Sequence, residues 1–334
     1  DCSMINQILT PASAMKNYHP PKPKLWKGRS SGTGQYLHER IGFLNLETDV
    51  ALSNPAFTIL GYACEEGVKR NQGRIGSVEG PVSIIQELAK LPHPRGMNTQ
   101  LCDAGLVTCS NQNLEATQDL LSYKVKQLLD LGCFPLLIGG GHDIAYGHYR
   151  GLRAYANSKE SIGIINLDAH FDLRSAEQGP NSGTPFYQIA KELEKSGQPF
   201  HYFCLGIREE ANSAELFDTA DKLGVNYVLN SDFHIGNTAT LKKDLEEFLE
   251  QVDRIYLTID LDGFSSAYAP GVSAASPFGF RPDIALWTLE EIIHSGKLMS
   301  LDLAECNPRF DRDGQTTKLA AGLLHYVLRH PELI

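Results

Sequence analysis

The chain reads as an α/β protein, a single three-layer domain with a mainly parallel sheet and helices on both faces. Three observations predict this. From about residue 56 to the carboxyl end, short apolar runs alternate with stretches of helical periodicity. The apolar runs are nearly unbroken, as strands are when both faces of a sheet are covered. No linker or internal repeat divides the chain beyond residue 55. Strands that alternate with helices imply parallel pairing, since each helix carries the chain back across the sheet.

Residues 1–55 are rich in Pro, Gly, Ser and polar side chains, so an arm and loops packed on the domain formed by 56–334 are expected there. The strand candidates are AFTILGYA (56–63), FPLLIGGG (134–141), SIGIINLDA (161–169), HYFCLGI (201–207), NYVLN (226–230), RIYLTIDLD (254–262) and LMSLDLAE (298–305). Helical periodicity marks 115–131, 145–156, 186–196, 240–252 and 283–294.

At 334 residues and 42% hydrophobic, the chain can bury a sizeable core. No apolar run approaches the roughly 18–20 residues of a membrane span, and Lys16, Lys22, Lys24 and their neighbouring prolines stand where a signal stretch would be apolar. Seven scattered cysteines, odd in number and without a C-x-x-C pair, read as reduced thiols of a cytoplasmic protein. A formal charge of −10 with no Lys/Arg run argues against nucleic acid or a membrane as partner. A small-molecule ligand and a homo-oligomer are the expected partners, and an anionic ligand would need a local group of arginines.

Four apolar runs end in residues that bind metals: His142; Asp168, His170 and Asp172; Asp260 and Asp262; and Glu305. These are the carboxyl ends of strands, where open α/β sheets bind their ligands. In D-A-H-F-D the period of two sends Asp168, His170 and Asp172 to one side, and in D-L-D it does the same for Asp260 and Asp262. Taken singly, D-x-D is more often a strand-end turn or a helix cap than a ligand, and His142 after three glycines is as well read as a turn residue. Taken together, so many acidic and imidazole groups in one pocket would repel one another unless a cation neutralised them. Four carboxylates and two imidazoles without thiolate favour six-coordinate ions such as manganese over structural zinc. Six ligands exceed the needs of one catalytic ion and suit two, with a bridging water acidified toward hydroxide. Gly139–Gly141 open no nucleotide-binding motif.

GGGHDIAYG (139–147), NLDAHFDLR (166–174), TIDLDGF (258–264), APGVSA (269–274) and AECNP (304–308), in this order and spacing, resemble the ureohydrolase group of arginases, agmatinases and formimidoylglutamases. The resemblance spans about 57–325. It implies two Mn2+ ions per chain, one held by His142, Asp168, Asp172 and Asp260, the other by Asp168, His170, Asp260 and Asp262, with Asp168 and Asp260 as bridges. It also implies that Asp172 orients the nucleophile and relays its proton, while Glu305 pairs with a cationic amidinium or guanidinium.

Within the group, WKGR (26–29), LGYACEEGVKRNQGRIG (60–76), SGTPF (182–186) and GIREEAN (206–212) are most similar to the formimidoylglutamases. The histidine that agmatinases carry where this chain has Ser182 is absent. The implied substrate is N-formimidoyl-L-glutamate, with release of urea from arginine, agmatine or a guanidino acid as the alternative and a non-catalytic relative as a third reading. The implied substrate bears two carboxylates, for which planar guanidinium groups are suited. Arg74 is the first choice, then Arg208 and Arg29, with Ser182 and Asn212 as further substrate contacts.

Overall fold

The computed structural model describes residues 15–49, 51–52, 54, 56–96 and 98–334. The first fourteen residues of the expected arm lie outside it. The strands are β1 (Tyr18–His19), β2 (Gly42–Phe43), β3 (Ala56–Ala63), β4 (Gln100–Thr108), β5 (Cys133–Gly139), β6 (Ile162–Leu167), β7 (His201–Ile207), β8 (Asn226–Leu229), β9 (Arg254–Asp260) and β10 (Leu298–Ala304). The α-helices are α1 (Glu66–Arg70), α2 (Gly80–Leu88), α3 (Leu114–Asp130), α4 (Ile144–Tyr155), α5 (Pro185–Ser196), α6 (Ala214–Lys222), α7 (Thr238–Leu249), α8 (Pro282–His294) and α9 (Gln315–Val327).

The strands form one sheet in the order β1-β4-β3-β5-β10-β9-β6-β7-β8, with β2 beside β4. Pairing is parallel throughout except for β1 on β4. Helices α2, α7, α8 and α9 bury their apolar stripes on one face, and α3, α4, α5 and α6 on the other. Strand residues divide between the two layers by the period of two: Phe57 and Ile59 of β3 face one, Leu60 and Tyr62 the other. Local signals set the helix limits. Asn113 caps α3 by accepting from Ala116 N, and α5 stops at Gly197, whose φ of 66° is left-handed.

All seven anticipated strands are present, with ends within two residues, and so are the five anticipated helices. Sequence periodicity did not mark β4. Its apolar run is broken by Asp103 and Gly105, and the reason is a tertiary one. Buried Asp103 accepts from Trp26 Nε1 at 2.7 Å and from Gly105 N at 2.8 Å, a partner set that includes the amino-terminal segment. Burial pushes this carboxyl above its ordinary range, and the two donors pull it back. Tyr18 adds a second tie: its hydroxyl donates to Ala104 O and accepts from Leu46 N. Among the described residues, no helix is long and apolar enough to cross a membrane.

Candidate metal centre

Strands β5, β10, β9 and β6 are consecutive in the sheet, and the predicted ligands leave from the carboxyl ends of these four. His142 reaches the site on the loop between β5 and α4. Gly140 N donates to Tyr62 O at 2.7 Å, Gly141 N to Cys64 O at 2.9 Å, and Glu305 N to Gly140 O at 2.8 Å. The loop is thus clamped between β3 and β10, so tightly that a Cβ at Gly140 would stand 1.9 Å from Cys64 O. Glycine is required there for close approach of backbone to backbone.

His142 Nδ1 lies 3.2 Å from Asp168 Oδ2, 2.9 Å from Asp172 Oδ2 and 3.1 Å from Asp260 Oδ2. His170 Nδ1 lies 3.5 Å from Asp168 Oδ1 and 3.3 Å from Asp262 Oδ1. Two groups of metal-ligand type result, His142–Asp168–Asp172–Asp260 and Asp168–His170–Asp262, and they share Asp168. Asp260 falls in the first group by this geometry, and its Oδ1 accepts from Asp262 N at 2.8 Å. Main-chain bonds set the turns: Asp168 Oδ1 accepts from His170 N at 2.8 Å, so the carboxylate fixes the backbone that carries its neighbouring ligand.

Burial works against charge on His142 and His170, yet the surrounding carboxylates push both imidazoles well above their usual range. Burial also opposes charge on Asp168, but the two histidines pull it below the carboxylate range. Burial, then its acidic neighbours, raises Asp172 and pushes Asp260 well up. Glu305 is pushed up to about 8, by burial first and Asp262 second. Such mutual opposition of buried anions is what a divalent cation relieves. Two further observations fit one: His142 Nδ1 and Asp262 Oδ1 are buried with no hydrogen-bond partner. The hard oxygen and imidazole donor set, free of thiolate, completes the fit.

Backbone strain gathers here as well. Asp172 has φ of 49° and Glu305 of 67°, a region that side chains other than Gly and Asn adopt at a cost. Glu305 is 5% exposed, and its Oε1 accepts from His142 N at 2.8 Å.

The cluster forms the floor of a cleft of about 230 Å³. Ser182 and Asn212 line it, but both are braced by the protein. Ser182 Oγ accepts from Asn71 Nδ2, while Asn212 accepts from Phe171 N and donates to Ala169 O and Arg208 O. Three predicted arginines are placed elsewhere. Arg74 donates through Nε to Ser273 O and through its terminal nitrogen to Val272 O, with its guanidinium 3.9 Å from the centre of the Phe310 ring. Its partners are loop carbonyls, so it shapes the wall of the cleft. Arg208 is buried and 3.6 Å from Glu210, and Arg29 is exposed; neither lines the cleft.

The guanidinium that does line it belongs to Arg174, which sequence reasoning did not single out. A signal was there. Arg174 ends NLDAHFDLR, two residues beyond Asp172, in the same segment that carries Asp168, His170 and Asp172. Among the described residues it is exposed, makes no ion pair and is the one Lys or Arg on the cleft wall.

Known proteins resemble this chain over most of its length. The model of the arginase family matches residues 55–329. A formimidoylglutamase from Clostridium tetani is 39% identical over 323 residues, which cover 93% of this chain and 96% of that one. The crystal structure of a formimidoylglutamase from Bacillus subtilis superposes with a TM-score of 0.80 at 24% identity, covering 92% of this chain and 95% of that chain. A formiminoglutamase from Trypanosoma cruzi, crystallised with Mn2+, has the same fold at a TM-score of 0.72 and 23% identity, covering 86% of this chain and 98% of that chain.

Proposed function

The chain belongs to the arginase family, and on that premise we propose that it hydrolyses N-formimidoyl-L-glutamate to L-glutamate and formamide, a step of histidine degradation, at a site for two Mn2+ ions. It is a metal-dependent amidine hydrolase. The observation that carries the substrate is the pairing, in one cleft, of a dimetal ligand set on the floor with the Arg174 guanidinium on the wall, which makes no ion pair among the described residues.

His142, Asp168, Asp172 and Asp260 would hold one ion and Asp168, His170 and Asp262 the other. When bound, the pair supplies Lewis acidity and a water whose proton is lost near neutral pH. The protein does the rest. Asp172, 13% exposed at the side chain and facing the cleft, orients the attacking water and takes its proton. Glu305 pairs with the amidinium nitrogens and holds the formimidoyl carbon over that water. As the carbon–oxygen bond forms, the π bond to nitrogen opens; Asp172 returns the proton to the glutamate nitrogen, the carbon–nitrogen single bond breaks as the carbonyl closes, and the hydroxyl proton passes to the departing amine. Formamide and L-glutamate leave.

The deciding experiment is product analysis of the purified, manganese-loaded protein on N-formimidoyl-L-glutamate, agmatine and L-arginine. Formamide and glutamate in equal amounts are expected from the first. Urea from a guanidine, with the formimidoyl compound untouched, would overturn the reading.

Arg174 makes a second, sharper test of the substrate. A charge-assisted contact from guanidinium to a carboxylate contributes about 1.5–3 kcal/mol, roughly ten- to a hundredfold in binding. Arg174→Gln should therefore raise KM by that order, with kcat within a few fold if the contact persists in ground and transition states alike. Arg174→Lys keeps charge but not the two-pronged geometry and should restore binding in part. An unchanged KM in well-folded Arg174→Gln would make it a surface charge and leave the substrate carboxylates to other residues.

A further inference from the structure

Beneath the metal ligands lies a chain of polar side chains in an otherwise apolar core. Thr258 of β9 and Asp302 of β10 are register partners in the parallel pair, and Tyr256 and Ser300 are the pair two residues back. The alternation of the strands therefore puts Tyr256, Thr258 and Asp260 on one side, and only the last is a ligand. All of Thr258, Ser300, Asp302 and His148 are fully buried.

The hydrogens in this chain can be counted. The Thr258 hydroxyl donates to Asp302 Oδ1 at 2.6 Å, and Thr258 Oγ1 also lies 2.9 Å from His142 Nε2. A hydroxyl has one proton to give. With that proton on Asp302, Thr258 can only accept from His142, so His142 carries its hydrogen on Nε2. In the neutral ring that ligates a metal, the lone pair is then on Nδ1, the atom that faces Asp168, Asp172 and Asp260.

Asp302 is itself held from three sides. Its Oδ2 accepts from Tyr256 OH at 2.5 Å and lies 2.6 Å from His148 Nδ1. At the far side of the ring, Ser300 Oγ gives its proton to Pro135 O at 2.8 Å and so accepts from His148 Nε2 at 2.7 Å. The Asp302 carboxylate can only accept, and this sets the direction of the Thr258 bond and, through it, that of the His142 bond. The order runs from the Pro135 carbonyl through Ser300, His148, Asp302 and Thr258 to His142.

We infer that Thr258 and Asp302 are positioning residues of the metal centre: they lock the Nε2–H tautomer and the ring plane of His142, so that Nδ1 is presented as a ready ligand. The inference rests on the dimetal reading and goes beyond it, since it assigns a function to side chains that touch neither metal nor substrate. A purely structural network would help to hold the core together but would not distinguish one ion from the other. Outer partners of a ligating histidine typically govern ten- to a hundredfold of metal affinity.

The test is titration of metal-free protein with Mn2+ by calorimetry and equilibrium dialysis, beside thermal melts of the metal-free forms. Thr258→Val keeps the shape and removes the hydroxyl. It should weaken by ten- to a hundredfold the ion held by His142, Asp172 and Asp260, and leave the ion at His170 and Asp262 near its wild-type affinity. Thr258→Ser should restore both. Asp302→Asn retains the threonine but weakens its anchor, should give an intermediate loss, and serves if Thr258→Val does not fold. Two ions bound at wild-type affinity by Thr258→Val would overturn the inference, as would equal weakening of both. Failure of the wild-type protein itself to take up two ions would instead overturn the metal reading.

Discussion

Asp168→Ala should empty both metal positions at once and abolish turnover. Asp168 stands in both ligand groups, with Oδ2 near His142 and Oδ1 near His170, so its loss removes a ligand from each coordination shell. It also frees the backbone turn that Oδ1 fixes by accepting from His170 N. Metal content by elemental analysis is the direct readout: two equivalents in the wild type and none in the variant. The melt supplies a second. An ion at a thousandfold over its dissociation constant stabilises the folded state by about 4 kcal/mol, so a chelator should lower the wild-type Tm by more than about 5 °C. The variant's melt should be indifferent to chelator. Asp262→Ala, which touches one group, should weaken mainly one ion. Retention of two ions by Asp168→Ala would refute the shared ligand.

Asp172→Asn should lower kcat by about 10²–10⁴ while KM stays close to wild type, because proton transfer by a positioned carboxylate is worth that range in the transition state. The substitution is well suited to the site. Asp172 has a left-handed backbone, which asparagine adopts readily, and the amide keeps the side chain's size and one ligand oxygen. What asparagine cannot do is accept a proton from water. Single-turnover kinetics on protein of measured metal content separates this loss from a loss of ions. A kcat within tenfold of wild type, at full metal content, would remove Asp172 from the proton path.

The alternation of strands and helices, the gathering of the ligands at strand ends and the chemistry of the donor set were legible in the amino-acid sequence. These are local properties. An eight-residue apolar run such as 56–63 has few alternatives to a buried strand, but Asp168, His170 and Asp172 lie beyond the end of β6 at Leu167, and turns with a left-handed Asp172 gather them in place of the expected strand alternation. Strand β4 was not legible because Asp103 is tolerable in a buried strand only with Trp26 to donate to it, and that contact spans 77 residues. Helices α2, α6 and α9 were not marked either; α9 places Thr316 and Thr317 among its buried residues, and partners such as Asp311 and Gly271 are visible only after folding.

That β5, β10, β9 and β6 lie side by side follows from the folded topology, since strand order is set by crossovers rather than by any one segment. The fold decides, too, which arginine meets the ligand. Arg74 sits in a distinctive segment, but its guanidinium is taken by carbonyls 198 and 199 residues away, while Arg174 stays unpaired at the cleft. Thr258 is the plainest case. In sequence it is an ordinary β-branched strand residue, and it becomes the link between Asp302 and His142 because parallel register sets it beside one and the β5–α4 loop brings down the other. A side chain's type is written locally, but what it bonds to depends on which distant strand folds against it.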